Sequence, residues 1–131
     1  MDNHIEACNN CIIACQQCIE ACVRCTNLQL KEKDSLACAE SSRQKFQNCV
    51  QACKECVRSC REHLKSCNDT ECIEATQECI RKCEACLYVC ESSEFSCQKL
   101  DDQCIASCLQ VKNACDECIK ACDHCVEKSC C

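Results

Sequence analysis

The sequence predicts an all-α protein, a single domain folded as an antiparallel up-down-up-down four-helix bundle with cysteines lining the core. Three observations predict it. The chain has 131 residues and neither Gly nor Pro, the residues that most readily break helices. Of its 26 cysteines, 24 recur at alternating spacings of three and four, with a polar or aromatic residue filling an occasional slot. That spacing is the a/d seam of a helix that buries one stripe. The register breaks between segments of similar length, and short breaks between helices force antiparallel neighbours.

The first helix is expected from His4 to Asn27. It carries Cys8, Cys11, Cys15, Cys18, Cys22 and Cys25. Asn3 is placed to cap it, with Glu6 in the capping-box position. Cys25 to Cys38 is a step of 13 residues, which breaks the alternation. The polar stretch Gln29-Leu30-Lys31-Glu32-Lys33-Asp34 therefore reads as a turn, with Ser35 as the next cap.

The second helix, about Leu36 to Ser66, keeps register through Cys38, Ser42, Phe46, Cys49, Cys53, Cys56, Cys60, His63 and Cys67. The five-residue step from Cys67 to Cys72 breaks it again, and Asn68-Asp69-Thr70-Glu71 supplies a turn and a capping box. The third helix carries Cys72, Thr76, Cys79, Cys83, Cys86, Cys90 and Cys97. Register marks no boundary before the fourth, because Cys90, Cys97 and Cys104 are spaced by sevens. The break falls either at Ser92-Ser93 or at Leu100-Asp101-Asp102, where an Asp could cap. The competing topology fuses these last two helices into one rod. The fourth helix continues through Cys104, Cys108, Val111, Cys115, Cys118, Cys122 and Cys125.

Composition narrows the function. A formal charge of −6 and the scatter of Lys and Arg along every segment argue against nucleic acid as a partner. No run of about 18 apolar residues predicts a membrane span. The start, Met1-Asp2-Asn3-His4-Ile5-Glu6, has no basic and apolar regions of a secretory signal. A cytoplasmic location is expected, where thiols stay reduced. No nucleophile–base pair, carboxylate dyad or phosphate loop is present, and a chain without Gly cannot build the Gly-dependent loops. The chain is expected not to be an enzyme.

The chemistry lies in a repeated unit, Cys-aliphatic-x-x-Cys. It occurs at Cys11 to Cys15, Cys18 to Cys22, Cys49 to Cys53, Cys56 to Cys60, Cys79 to Cys83, Cys86 to Cys90, Cys104 to Cys108 and Cys118 to Cys122. Its two thiols lie one helical turn apart on one face, where they can close on one ion in near-linear two-coordination. The aliphatic residue falls at the e position and seals the flank of the seam. Thiolates select Cu(I), zinc or iron–sulfur clusters. Structural zinc usually takes four ligands from short knuckles, and clusters usually sit among loop cysteines. Cu(I) accepts two or three thiolates and tolerates bridging sulfur, so a tube of thiols can hold many Cu(I) ions in a row. Two thiols per ion without sharing would hold about 13 ions.

Other readings of the same seam are plain core packing, for which Cys is small, and disulfide crosslinking, which residues three or four apart permit with strain. The expected metal ligands are the 24 cysteines in register. Cys130 and Cys131 are out of register and are not counted.

Four stretches carry a likeness to known proteins: Glu6-Ala7-Cys8 through Cys25, Cys49-Val50-Gln51-Ala52-Cys53-Lys54-Glu55-Cys56, Cys79-Ile80-Arg81-Lys82-Cys83-Glu84-Ala85-Cys86, and Cys115 through Cys125. With these the chain resembles the bacterial copper storage proteins, four-helix bundles whose core cysteines bind Cu(I). The resemblance implies storage of many Cu(I) ions, a cytosolic location in members without a leader, and a homo-oligomer, commonly a tetramer. This chain departs from the family in being longer and richer in cysteine, with a long second helix.

The bundle should have two unlike ends. His4, His63, Cys67, Cys72, Thr76 and Cys125 collect at one, where His4 and His63, both in heptad register, could pass an ion inward. His124 is out of register and should face solvent. Leu28, Leu30, Leu36, Phe46, Phe95 and Leu100 collect at the other and should plug it. The function expected is copper storage and detoxification, with copper donor and acceptor molecules as partners. The alternatives are a metallothionein-like zinc or cadmium buffer and a disulfide-stapled structural protein.

Overall fold

A computed structural model describes residues 3–27, 32–97 and 101–129. The chain forms four α-helices: α1 (Asn3–Asn27), α2 (Glu32–Leu64), α3 (Thr70–Ser96) and α4 (Asp102–Glu127). Each lies against two neighbours, α1 against α2 and α4, and α3 against α2 and α4. The bundle is antiparallel, up-down-up-down, as the cysteine register predicts. No helix among the described residues is long and apolar enough to cross a membrane.

The helix ends show how local chemistry sets the boundaries. Asp69 caps α3, its carboxylate accepting the Cys72 N–H at 3.0 Å. Asp101 caps α4 in the same way, accepting the Cys104 N–H at 2.9 Å. Each aspartate satisfies one of the open N–H groups of a helix start and fixes the first thiol of its helix. The α3/α4 break is thus at Asp101; α3 runs through Ser92-Ser93, and the single-rod topology is absent. Glu71, expected to close a capping box, meets Lys128, the residue that caps the end of α4, at 3.7 Å.

Two expected starts differ. Asn3 is itself the first residue of α1, and α2 begins at Glu32, ahead of the expected Leu36. The stretch 32–35 is polar but lacks Gly and Pro, so nothing in its backbone opposes a helix; Ser35 is helical and is not a cap. The remaining turn residues Gln29, Leu30 and Lys31 lie outside the described residues.

The seam faces inward along its whole length, and all 24 register cysteines are buried. Val50 and Val57 are buried beside them, and Ile12, Ile19, Ile80, Leu87 and Ile119 pack part-buried on the flanks. These are seven of the eight aliphatic members of the repeat, Ile105 being the other, and they seal the seam as expected. Charges stay on the rim. Arg61 meets Glu84 at 2.7 Å and Lys54 meets Glu91 at 4.0 Å between α2 and α3, while Lys82 meets Glu117 at 3.4 Å between α3 and α4. Exposed pairs of this kind contribute at most about 1 kcal/mol each; the fold depends on what the seam buries.

The expected apolar plug is not built as foreseen. Phe46 is completely buried within the ladder itself, and Phe95 is 81% exposed on the outer face of α3. Phe95 lies two residues past the core position Ser93, which turns it away from the axis. The side chains of Leu28, Leu30, Leu36 and Leu100 lie outside the described residues.

Candidate metal centre

Thiols from different helices meet in level after level along the axis. Cys8, Cys11 and Cys15 of α1 face Cys56, Cys53 and Cys49 of α2, each pair at 3.6 Å between Sγ atoms. Cys79, Cys83 and Cys86 of α3 face Cys122, Cys118 and Cys115 of α4 at 3.6, 3.5 and 3.7 Å. Diagonal contacts close each level, as between Cys8 and Cys79 at 3.8 Å and between Cys11 and Cys83 at 3.9 Å.

The result is a set of buried four-thiol groups with all Sγ atoms within 4.8 Å of one another. Cys8, Cys56, Cys79 and Cys122 make one, and Cys11, Cys53, Cys83 and Cys118 another, each taking one thiol from every helix. Cys8 and Cys79 also join Cys60 and Cys125; Cys11 and Cys83 also join Cys56 and Cys122. Successive groups therefore share sulfurs.

Here the structure changes the sequence reading. The expected pairs within one helix do meet, Cys49 with Cys53 at 4.0 Å and Cys56 with Cys60 at 3.9 Å. The closest contacts, however, run between helices. With a metal–sulfur bond of about 2.3 Å, sulfurs stand about 3.8 Å apart around a tetrahedral ion, about 4.0 Å around a trigonal one and about 4.6 Å across a linear one. Ladder contacts of 3.5–4.0 Å fit three or four sulfurs per ion. Near-linear pairs would have to spread.

In so dense a cluster one thiolate is stabilised by the S–H groups around it, and its neighbours then hold their protons harder. Cys11, Cys49 and Cys79 lie below the ordinary thiol value, led by hydrogen bonds from Cys118, Cys115 and Cys122 respectively. Cys15 and Cys83 are raised, first by their contact with Cys11. Cys22 is brought down to about 5 by Cys108 and then Cys18. Cys104 is pushed up to about 12, chiefly by Cys108.

The ladder changes composition toward its far end. One step beyond Cys49 and Cys115, the register positions of α2 and α4 hold Phe46 and Val111, both fully buried, while α1 and α3 keep thiols at Cys18 and Cys90. Beyond that level the thiols behave differently. Cys25 and Cys38 are joined in a disulfide, so in this state neither offers a thiolate. The reason is local: the two flank the α1–α2 connection, and their Cα atoms come to 6.1 Å, within disulfide reach.

At the opposite end His4 and His63 are buried, 1% and 8% exposed, with rings stacked at 3.8 Å. His63 Nε2 lies 3.2 Å from Cys72 Sγ. Thr76 Oγ1 stands 4.0 Å from that sulfur and 3.7 Å from Cys125 Sγ, and Cys125 belongs to the group of Cys8, Cys60 and Cys79. Polar and sulfur atoms thus run unbroken from the histidines into the ladder. His124 is exposed, as its register requires. Cys67 is buried in the α2–α3 turn, its thiol 3.9 Å from the Asp69 carbonyl. Cys130, Cys131 and Met1 lie outside the described residues. Sequence reasoning missed the grouping of thiols from all four helices, which depends on how the helices align and leaves no mark in any one segment.

Comparison with protein-family models, with curated proteins and with solved structures finds no match.

Proposed function

We propose that the chain stores Cu(I), holding many ions along the thiol ladder and exchanging them with copper donor and acceptor molecules in the cytoplasm. The observation that carries this reading is the sharing of sulfurs between adjacent four-thiol groups. Charge favours Cu(I) over zinc. A zinc ion held by four thiolates leaves about −2 in the core, and stacking such charges in a low-dielectric interior is costly. No Lys or Arg among the described residues is buried to offset it. Cu(I) with bridging thiolates lets the ratio of sulfur to metal fall, and the charge per ion falls with it. The resemblance to copper storage proteins supports the same reading, and with it a tetrameric assembly and the absence of catalysis.

The four-thiol grouping favours one other function, a zinc or cadmium buffer, because it is also the donor set of tetrahedral zinc. Titrating the reduced protein with Cu(I) against a chromophoric chelator, with zinc in parallel, separates the two. The storage reading expects about ten or more Cu(I) ions per chain and weaker uptake of zinc. Saturation at a handful of ions, or equal preference, rejects it.

A further inference from the structure

Both the α1–α2 and α3–α4 connections leave from the end away from the histidines, and each is bracketed by two cysteines. Cys25 and Cys38 bracket the first and are disulfide-bonded. Cys97 and Cys104 bracket the second. Cys97 closes α3, its N–H bonded to the Ser93 carbonyl at 3.0 Å and its carbonyl held by Arg43 of α2 at 2.6 Å. Cys104 sits in the first turn of α4, fixed by the Asp101 cap. Their Sγ atoms lie 2.7 Å apart, whereas ladder thiols of different helices meet at 3.5 Å or more. On α2 and α4, Phe46 and Val111 hold the register positions between this end and Cys49 and Cys115.

We propose that this end is a redox-controlled site for soft metal ions. Cys97 and Cys104 form a second disulfide, matched to Cys25–Cys38, and reduction of both frees four thiols that bind soft ions together with Cys22 and Cys108. The oxidant is a low-molecular-weight disulfide. The Cys97 thiolate attacks one of its sulfurs and expels one small thiolate, leaving a mixed disulfide. The Cys104 thiolate then attacks the Cys97 sulfur and expels the second. Two protein thiols and one small disulfide become one protein disulfide and two small thiols, and excess small thiol reverses the exchange. Cys97 and Cys104 are buried, but both lie in terminal turns, the parts of a helix that open first. The metal half of this inference rests on the storage reading; the disulfide half does not.

The test starts with the metal-free full chain, equilibrated in glutathione buffers of increasing oxidised fraction, alkylated under denaturing conditions and mapped by mass spectrometry. The expected map has two disulfides, Cys25–Cys38 and Cys97–Cys104, with the ladder thiols from Cys8 to Cys22 and Cys49 to Cys60 alkylated. Alkylation of Cys97 and Cys104 throughout, or disulfides scattered along the ladder, overturns the proposal. In the second arm, Cu(I) capacity is measured on the oxidised and reduced forms. The oxidised form should hold about one or two ions fewer, and the double variant Cys97→Ser, Cys104→Ser should lose about half of that difference. Equal and high capacity in both forms overturns redox control, whereas negligible capacity in both overturns the storage reading and leaves the map to stand.

Discussion

The imidazole rings of His4 and His63 stack with centroids 3.8 Å apart and planes 19° from parallel, joining the start of α1 to the end of α2. The buried pair closes one end of the thiol ladder, with His63 against Cys72. If it relays ions inward, replacing both by Ala should slow Cu(I) loading about tenfold, the scale on which groups supporting metal ligands act. Capacity should stay within about one ion, because interior thiols set how many fit. Stopped-flow uptake with equilibrium stoichiometry checks this; loading at the wild-type rate removes the histidines from the path.

Cys11 and Cys83 each belong to at least two of the four-thiol groups. Replacing both by Ser should lower Cu(I) capacity by about one or two ions, with helicity by circular dichroism unchanged. A double variant that keeps full capacity would show that these groups are not where metal resides.

Stability of the reduced, metal-free chain should peak near the ordinary thiol pKa of about 8.5. Cys22 is lowered to about 5, so its contribution is complete above the unfolded value and is lost as pH falls toward 5. Cys104 is raised to about 12, so its contribution is complete below the unfolded value and is lost as pH rises toward 12. Denaturant melts across this range should trace both limbs, and Cys22→Ser should flatten the acid one. Acid stability equal in the variant and the parent would contradict the assignment.

Among the described residues Phe46 is the largest fully buried side chain, set among thiols that bury little apolar area each. Phe46→Ala should cost about 3–5 kcal/mol, while Phe95→Ala, on an exposed residue, should stay within about 0.5 kcal/mol. Urea unfolding of the metal-free proteins decides it. Near-equal losses would mean that Phe46 does not organise the core.

The four helices were legible because a cysteine spacing of three and four is itself a buried face, whatever the thiols do there. Asp101 resolved what Cys90, Cys97 and Cys104 left open, since a repeat of sevens is continuous through a break. The polar run at Glu32 to Ser35 misled, because polarity alone does not stop a helix. Phe95 misled because hydrophobicity was weighed without its position; two residues beyond the seam, a Phe faces water. For the site, the residue set was readable but its pairing was not. Which thiol of α1 meets which of α2 depends on axial alignment, and Cys25–Cys38 depends on how closely one connection draws its ends together.

The one-from-each-helix composition of the groups at Cys8, Cys56, Cys79 and Cys122 and at Cys11, Cys53, Cys83 and Cys118 bears on the lifetime of the molecule. If each of these groups holds an ion, no helix could peel from the bundle without stripping a ligand from both, and a filled chain would resist partial unfolding in proportion to its contents. An empty one would lack that restraint and be the more exposed to proteases. Turnover would then follow the state of filling: chains that have given up their cargo are cleared first, and full ones persist.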